Sequence, residues 1–136
     1  MIKPIVRDIL FLKQKAQPAT KNDLLVADDL LDTLKANTDR CVGMAANMIG
    51  VNKSIIVFSV GPMFFTMFNP KIIVSSDPYE TEEGCLSLNG IRKTTRYENI
   101  TVEYQTRSFE TKVQKFSGWA AQIIQHEIDH LNGIII

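Results

Sequence analysis

Apolar positions along the chain change their spacing twice. Between residues 20 and 37, Leu24, Ala27, Leu31 and Leu34 recur at helical intervals, with Asp28, Asp29, Asp32 and Lys35 between them. That spacing predicts a helix with one buried face. Thr20 or Asn22 caps its start, and the early acidic residues suit the helix dipole. From about 54 to 115 the rhythm shortens to β-branched and aromatic runs divided by turn residues. "SIIVFSV" and "MFFTMFNP" flank Gly61-Pro62 and predict a strand pair. "KIIVSS" predicts a further strand, closed by Asp77-Pro78. "NITVEYQT" alternates Ile100, Val102 and Tyr104 with polar neighbours, the pattern of a half-buried strand. "FETKVQKF" alternates again after a hairpin at Arg107-Ser108. Residues 117 to 132 return to helical spacing, with Ser117 as cap and Gly133 as stop. The pattern predicts one α+β domain over 1–136: an N-terminal helix, antiparallel strands, and a late helix.

Composition narrows the function classes. With 136 residues the chain buries a real core as one domain. Lys+Arg and Asp+Glu balance at 15 each, which gives no broad electrostatic grip on nucleic acid or an anionic membrane. The apolar runs are too short to span a bilayer. "MIKPIVRDILFLKQKAQ" is broken by charges and carries no small-residue cleavage site, so the expected location is the cytoplasm. In that reducing compartment Cys41 and Cys85 are expected as free thiols or metal ligands, not as a disulfide.

The late helix carries the chemistry. "QHEIDHLNG", 125 to 133, holds both histidines of the chain. Residues four apart stand on one helix face, so His126 and His130 can offer their imidazoles to one ion. Glu127, beside the first, is placed to act as a general base toward water; this is the logic of H-E-x-x-H. A catalytic metal needs a third protein ligand. A carboxylate or a thiolate would serve, and spacing alone does not choose. "EEGCLS", 82 to 87, offers Cys85 beside a glycine that lets the backbone approach an ion closely. A lone cysteine, read without context, is a small buried hydrophobe.

A third stretch, "CVGMAANMIG" at 41 to 50, is rich in small residues and follows the first helix. The three stretches, in this order and at these separations, make the chain resemble the peptide deformylase family. That family carries G-x-G-L-A-A-x-Q-x-G, E-G-C-L-S and Q-H-E-x-D-H-L-x-G. The second and third are matched without exception at 83–87 and 125–133, and the likeness runs through nearly the whole chain.

The resemblance implies that Cys85, His126 and His130 ligate one divalent metal ion and that Glu127 is the general acid/base. Ferrous iron is the native ion it points to, with Zn²⁺, Ni²⁺ and Co²⁺ also suited to the ligands. The implied reaction is attack of metal-activated water on the formyl carbon of an N-formyl-methionyl peptide, releasing formate. The backbone N–H of Leu86 and the glutamine of the first motif would hold the oxyanion. Val42 and Gly43 match a segment that pairs with an extended peptide, and Arg92 a position that contacts its backbone. Trp119 and Ile123 share the histidine face of the helix and would line the methionine pocket. The implied partners are the formylated peptide and the ribosome with its nascent chain, with no direct nucleic-acid or membrane contact.

Three positions depart from the motif. Met44 replaces leucine, a near-isosteric change. Cys41 replaces the first glycine, which strains the backbone if that position needs a positive φ. Met48 replaces the glutamine, and a thioether cannot donate a hydrogen bond. Loss of one oxyanion donor costs about 2.7–4 kcal/mol, a rate loss on the order of a hundred- to a thousandfold. Asn47, which precedes it, carries an amide that would compensate if it faced the site. Three functions compete: a slowed deformylase, a catalytically weak metal-binding paralogue that binds formylated or related peptides, and an H-E-x-x-H protease with another third ligand.

Overall fold

The structure, a computed structural model, describes residues 1–85 and 88–134. Its elements follow the predicted order. A short helix α1 (Ile9–Leu12), capped by Asp8, had no counterpart in the sequence reading. A 3-10 turn at Lys21–Asp23 leads into α2 (Leu24–Ala36). Thr20, not Asn22, caps this turn: its hydroxyl accepts from the Asn22 N–H at 3.3 Å, and Asp23 returns a bond to the Thr20 N–H at 2.8 Å. Then come β1 (Gly43–Ala45), a 3-10 turn at Ala46–Ile49, and the strands β2 (Ile55–Val60), β3 (Met63–Cys85), β4 (Leu88–Gln105) and β5 (Thr111–Ser117). The late helix is α3 (Gly118–Leu131).

The five strands form one antiparallel sheet in the order β1-β2-β3-β4-β5. Gly61 turns the chain between β2 and β3, where Val60 faces Met63. One expectation fails here. "MFFTMFNP" and "KIIVSS" are a single strand, and it continues past Asp77-Pro78 to Cys85. The register shifts between Phe68 and Lys71 and between Ile72 and Val74, and Asn69 and Asp77 take positive φ. These irregularities absorb Pro70 and Pro78 as local bends without ending the pairing.

The sheet is buried on both faces near the site. Ile55 and Val57 of β2 pack with Leu30 and Leu34 of α2, while Ile56 and Phe58 pack with Ile124 and Ile128 of α3. β1 and β3 sort their side chains likewise: Met44 and Phe68 face α2, Ala45 and Met67 face α3. An unbroken apolar run is what a strand covered on both sides requires. Within α2 the buried stripe is Ala27, Leu30, Thr33 and Leu34, with Leu24 and Leu31 only half-buried, a small rotation from the predicted face. Gln125 pins α3 to the sheet. Its Oε1 accepts from the Tyr97 N–H and its Nε2 donates to the Tyr97 carbonyl, both at 2.8 Å. Gly133, at φ 73°, ends α3 as predicted.

Candidate metal centre

Helix α3 presents His126 and His130 one turn apart, and the end of β3 brings Cys85 to them. One potential ligand atom from each of these three residues lies within 4.8 Å of the others. The Nε2 atoms of the two histidines face each other at 3.1 Å. Two imidazole nitrogens this close share either a proton or a cation between them. One thiolate and two imidazoles, with that convergence, fit a divalent transition metal. Both cysteines are free thiols, as expected.

Glu83 organises the ligand side. Its Oε1 sits 2.7 Å from Nδ1 of His126, which leaves Nε2 of that ring to face the shared point. The same carboxylate accepts from Nε and Nη2 of Arg96, at 3.0 and 2.7 Å, and from Nε2 of Gln122 at 2.9 Å. Arg96 also reaches Asp129 at 2.6 Å. Burial pushes the Glu83 carboxyl up, but the bonds from His126, Arg96 and Gln122 outweigh it and hold the group at about 2. For His126, burial opposes the charged ring, yet the bonds to Cys85 and Glu83 raise it to about 10. Burial, with the neighbouring His126 charge, lowers His130 to about 3.

Glu127 is buried, and its Oε1 has no hydrogen-bond partner among the described residues. Burial raises its carboxyl to about 7, the range in which a carboxyl both takes and returns a proton. The backbone of β1 lies directly on it: a Cβ on Gly43 would stand 2.8 Å from Glu127 Oε2. A cavity of about 610 Å³ opens beside this carboxylate. Its walls include Cys41, Val42 and Gly43 on one side, Glu83 and Cys85 on another, and Trp119, Ile123, His126 and Glu127 from α3.

A match to the polypeptide deformylase family model runs over residues 2–136. The chain belongs to the peptide deformylase family. It is 63% identical over 136 residues to a peptide deformylase of Clostridium beijerinckii, covering all of both chains. A peptide deformylase of Heliobacterium modesticaldum is 38% identical over 128 residues, covering 91% of this chain and 83% of its own. Among solved structures, the Thermus thermophilus peptide deformylase superposes with a TM-score of 0.89 at 33% identity, covering 99% of this chain and 84% of its own. An actinonin-bound peptide deformylase of Acinetobacter baumannii gives 0.88 at 33% identity, covering 99% of this chain and 95% of its own. The antiparallel fold with its late helix is the fold of this family, and family members are metallohydrolases.

Most of the residues singled out in the sequence come together: Cys85, His126, Glu127, Val42, Gly43, Trp119 and Ile123 all line the cavity, with His130 buried behind them. Arg92 stands on β4 opposite Glu83 and is not among the described residues lining the cavity. Leu86 lies outside the described residues. Cys41 is not among the residues at positive φ, so the side chain that replaces the motif's glycine brings no backbone strain. Asn47 does not compensate for Met48: its Nδ2 donates to the His130 carbonyl at 2.9 Å. Glu83, Arg96, Gln122 and Asp129 were missed. Gln122, His126 and Asp129 do fall at i, i+4 and i+7 on one stripe of α3, a signal that was present. Nothing in the sequence pointed to Arg96.

Proposed function

We propose that this chain removes the formyl group from N-formyl-methionyl peptides as they leave the ribosome, releasing formate, and that it does so in the cytoplasm. The observation that carries this reading is the convergence of Cys85, His126 and His130 beside a buried, proton-exchanging Glu127 at the head of a peptide-sized cavity. Cys85, His126 and His130 would hold the ion, with ferrous iron as the native choice and zinc, nickel or cobalt as substitutes. When bound, the ion supplies Lewis acidity toward a carbonyl oxygen and lowers the pKa of water.

The chain's own residues do the rest. β1 is an edge strand of the sheet and lines the cavity, so an extended peptide adds beside Val42 and Gly43. Val42, Trp119 and Ile123 give the methionine side chain an apolar wall. Trp119, 58% exposed, stands at the surface where such a chain enters. Glu127 takes a proton from the attacking water and delivers it to the departing amine, so water and the amide become formate and a free N-terminus. Arg92 and the Leu86 N–H are assigned to the peptide backbone and the oxyanion.

Met48 makes the reaction slow. Its thioether is buried and turned back on the Ala45 N–H, at 3.4 Å, and offers no donor to an oxyanion. The same observation favours a second reading, a paralogue that binds formylated peptides with little turnover. Formate release from a formyl-methionyl tripeptide by nickel- or iron-loaded protein separates the two. Turnover that Glu127→Ala abolishes, with metal content unchanged, supports the deformylase. Metal-loaded protein that binds the peptide and releases no formate sinks it.

A further inference from the structure

Each metal-ligating histidine uses one ring nitrogen on the ion, and its other nitrogen must then carry a proton and find an acceptor. For His126 that acceptor is Glu83. For His130 the same demand falls on Nδ1, which is fully buried and has no partner among the described residues. One further buried orphan belongs to a residue bonded to this one. Asn47, also buried, gives its Nδ2 to the His130 carbonyl at 2.9 Å, while its Oδ1 has no partner. The two orphans are complementary. Oδ1 can only accept, and Nδ1 can only donate once Nε2 gives its lone pair to a metal.

We propose that Asn47 is the positioning residue of His130, its Oδ1 taking the Nδ1–H across one water, and its Nδ2 holding the same residue's carbonyl. The inference rests on the metal reading of Cys85, His126 and His130. It explains how the ring is fixed: His126 is held by a carboxylate on β3, His130 by an amide on the turn after β1. The turn at Ala46–Ile49 thereby touches the ligand set through Asn47, although it does not line the cavity. Such outer partners typically change metal affinity by about ten- to a hundredfold.

Zinc affinity, measured by competition with a chelating dye, tests this in wild type, Asn47→Leu and Asn47→Asp. Both variants lose the amide donor to the His130 carbonyl, but only Asp keeps an acceptor oxygen. The expected result is a loss of about ten- to a hundredfold for Leu and near-wild-type affinity for Asp. Equal losses in both would assign Asn47 to holding the helix end alone and overturn the proposal, as would a Leu variant that binds zinc like wild type. ¹⁵N-histidine spectra of zinc-loaded wild type give a reading that needs no variant to fold: His130 must appear with a slowly exchanging Nδ1–H, and its absence refutes the assignment. A wild type that binds no zinc would instead refute the metal reading itself, and Asn47 would have nothing to position.

Discussion

A single methyl group on Gly43 tests how tightly the Glu127 carboxylate is held. Gly43 is not among the glycines at positive φ, so Gly43→Ala adds no backbone strain and isolates the steric effect. The new carbon would stand 2.8 Å from Glu127 Oε2, 2.9 Å from Ile123 Cγ2 and 3.2 Å from Glu127 Cγ. Carbon atoms pack comfortably from about 3.5 Å, so Ile123 must recede by roughly 0.6 Å and Glu127 by a similar amount. Both line the cavity, so any give is into the space a substrate would occupy. Ile123 is packed with Ala45, Phe58 and Ile124, and Gln125 fixes α3 to the backbone of β4. Overpacking of this kind costs about 1–3 kcal/mol of stability. A catalytic group misplaced by about 1 Å can cost a hundredfold in rate. We therefore expect kcat/KM for formate release to fall by about ten- to a hundredfold, equivalent to about 1.4–2.7 kcal/mol of barrier. Metal content should not change, because the methyl's three nearest contacts are atoms of Glu127 and Ile123 and none belongs to Cys85, His126 or His130. Activity within about twofold of wild type, in protein with full metal content, would refute the claim that β1 sets the position of Glu127.

Met48→Gln should raise kcat, by up to about a hundred- to a thousandfold, because the new side-chain oxygen can accept from the Ala45 N–H and free an amide donor for the oxyanion; Met48→Leu should stay slow, and a Gln variant no faster than Leu ends this account. Arg96→Met leaves the Glu83 and Asp129 carboxylates without their shared cation, and urea unfolding should show a loss of about 3–5 kcal/mol. A loss under about 1 kcal/mol would mean that the triad is replaceable. Glu83 titrates at about 2 in the fold against an ordinary 4.5, so its stabilising contribution is present above about 4.5 and disappears as pH falls toward 2. In metal-free protein the stability gap between wild type and Glu83→Gln should close across that window, and a gap that stays constant would show that Glu83 is not the group responsible.

How much of this was legible in the sequence depends on how local the signal was. The extent of helix α3 could be read, because its stripe, its glycine stop and both histidines belong to one segment, although Ser117 at its start makes no side-chain cap bond. Strand β2 could be read as a strand, yet its two-sided burial emerged only when α2 and α3 were seen on opposite faces. The length of β3 could not be read, since Pro70 and Asp77-Pro78 look like terminators in one dimension. In the sheet Pro70 falls at a register shift and Pro78 follows the positive-φ Asp77, and the pairing continues past both. The cluster of Cys85, His126 and His130 was legible through motif likeness, but the charges around it were not. Glu83, Arg96 and Asp129 come from three elements, and a long-range ion triad leaves no periodic trace along the chain.

The adjacent pair Asn47 and Met48 shows why motif departures need geometry before they are judged. On the sequence, Met48 looked like a lost donor, and Asn47 would have replaced it only if its amide faced the site. In the fold, the 3-10 turn at Ala46–Ile49 sends the two side chains to separate tasks. Met48 packs with Leu30, Leu34 and Phe68 in the α2 core, its sulfur satisfied by the Ala45 N–H. Asn47 crosses to the end of α3, 83 residues away in sequence, and bonds the carbonyl of His130. A turn of four residues thus ties the α2 core to the ligand helix. Introducing a donor at 48 should alter the rate and leave metal affinity alone, while removing the acceptor at 47 should alter metal affinity. Two neighbouring positions in one motif then separate into one kinetic and one thermodynamic role, and measuring turnover and zinc affinity on both variants decides whether that division holds.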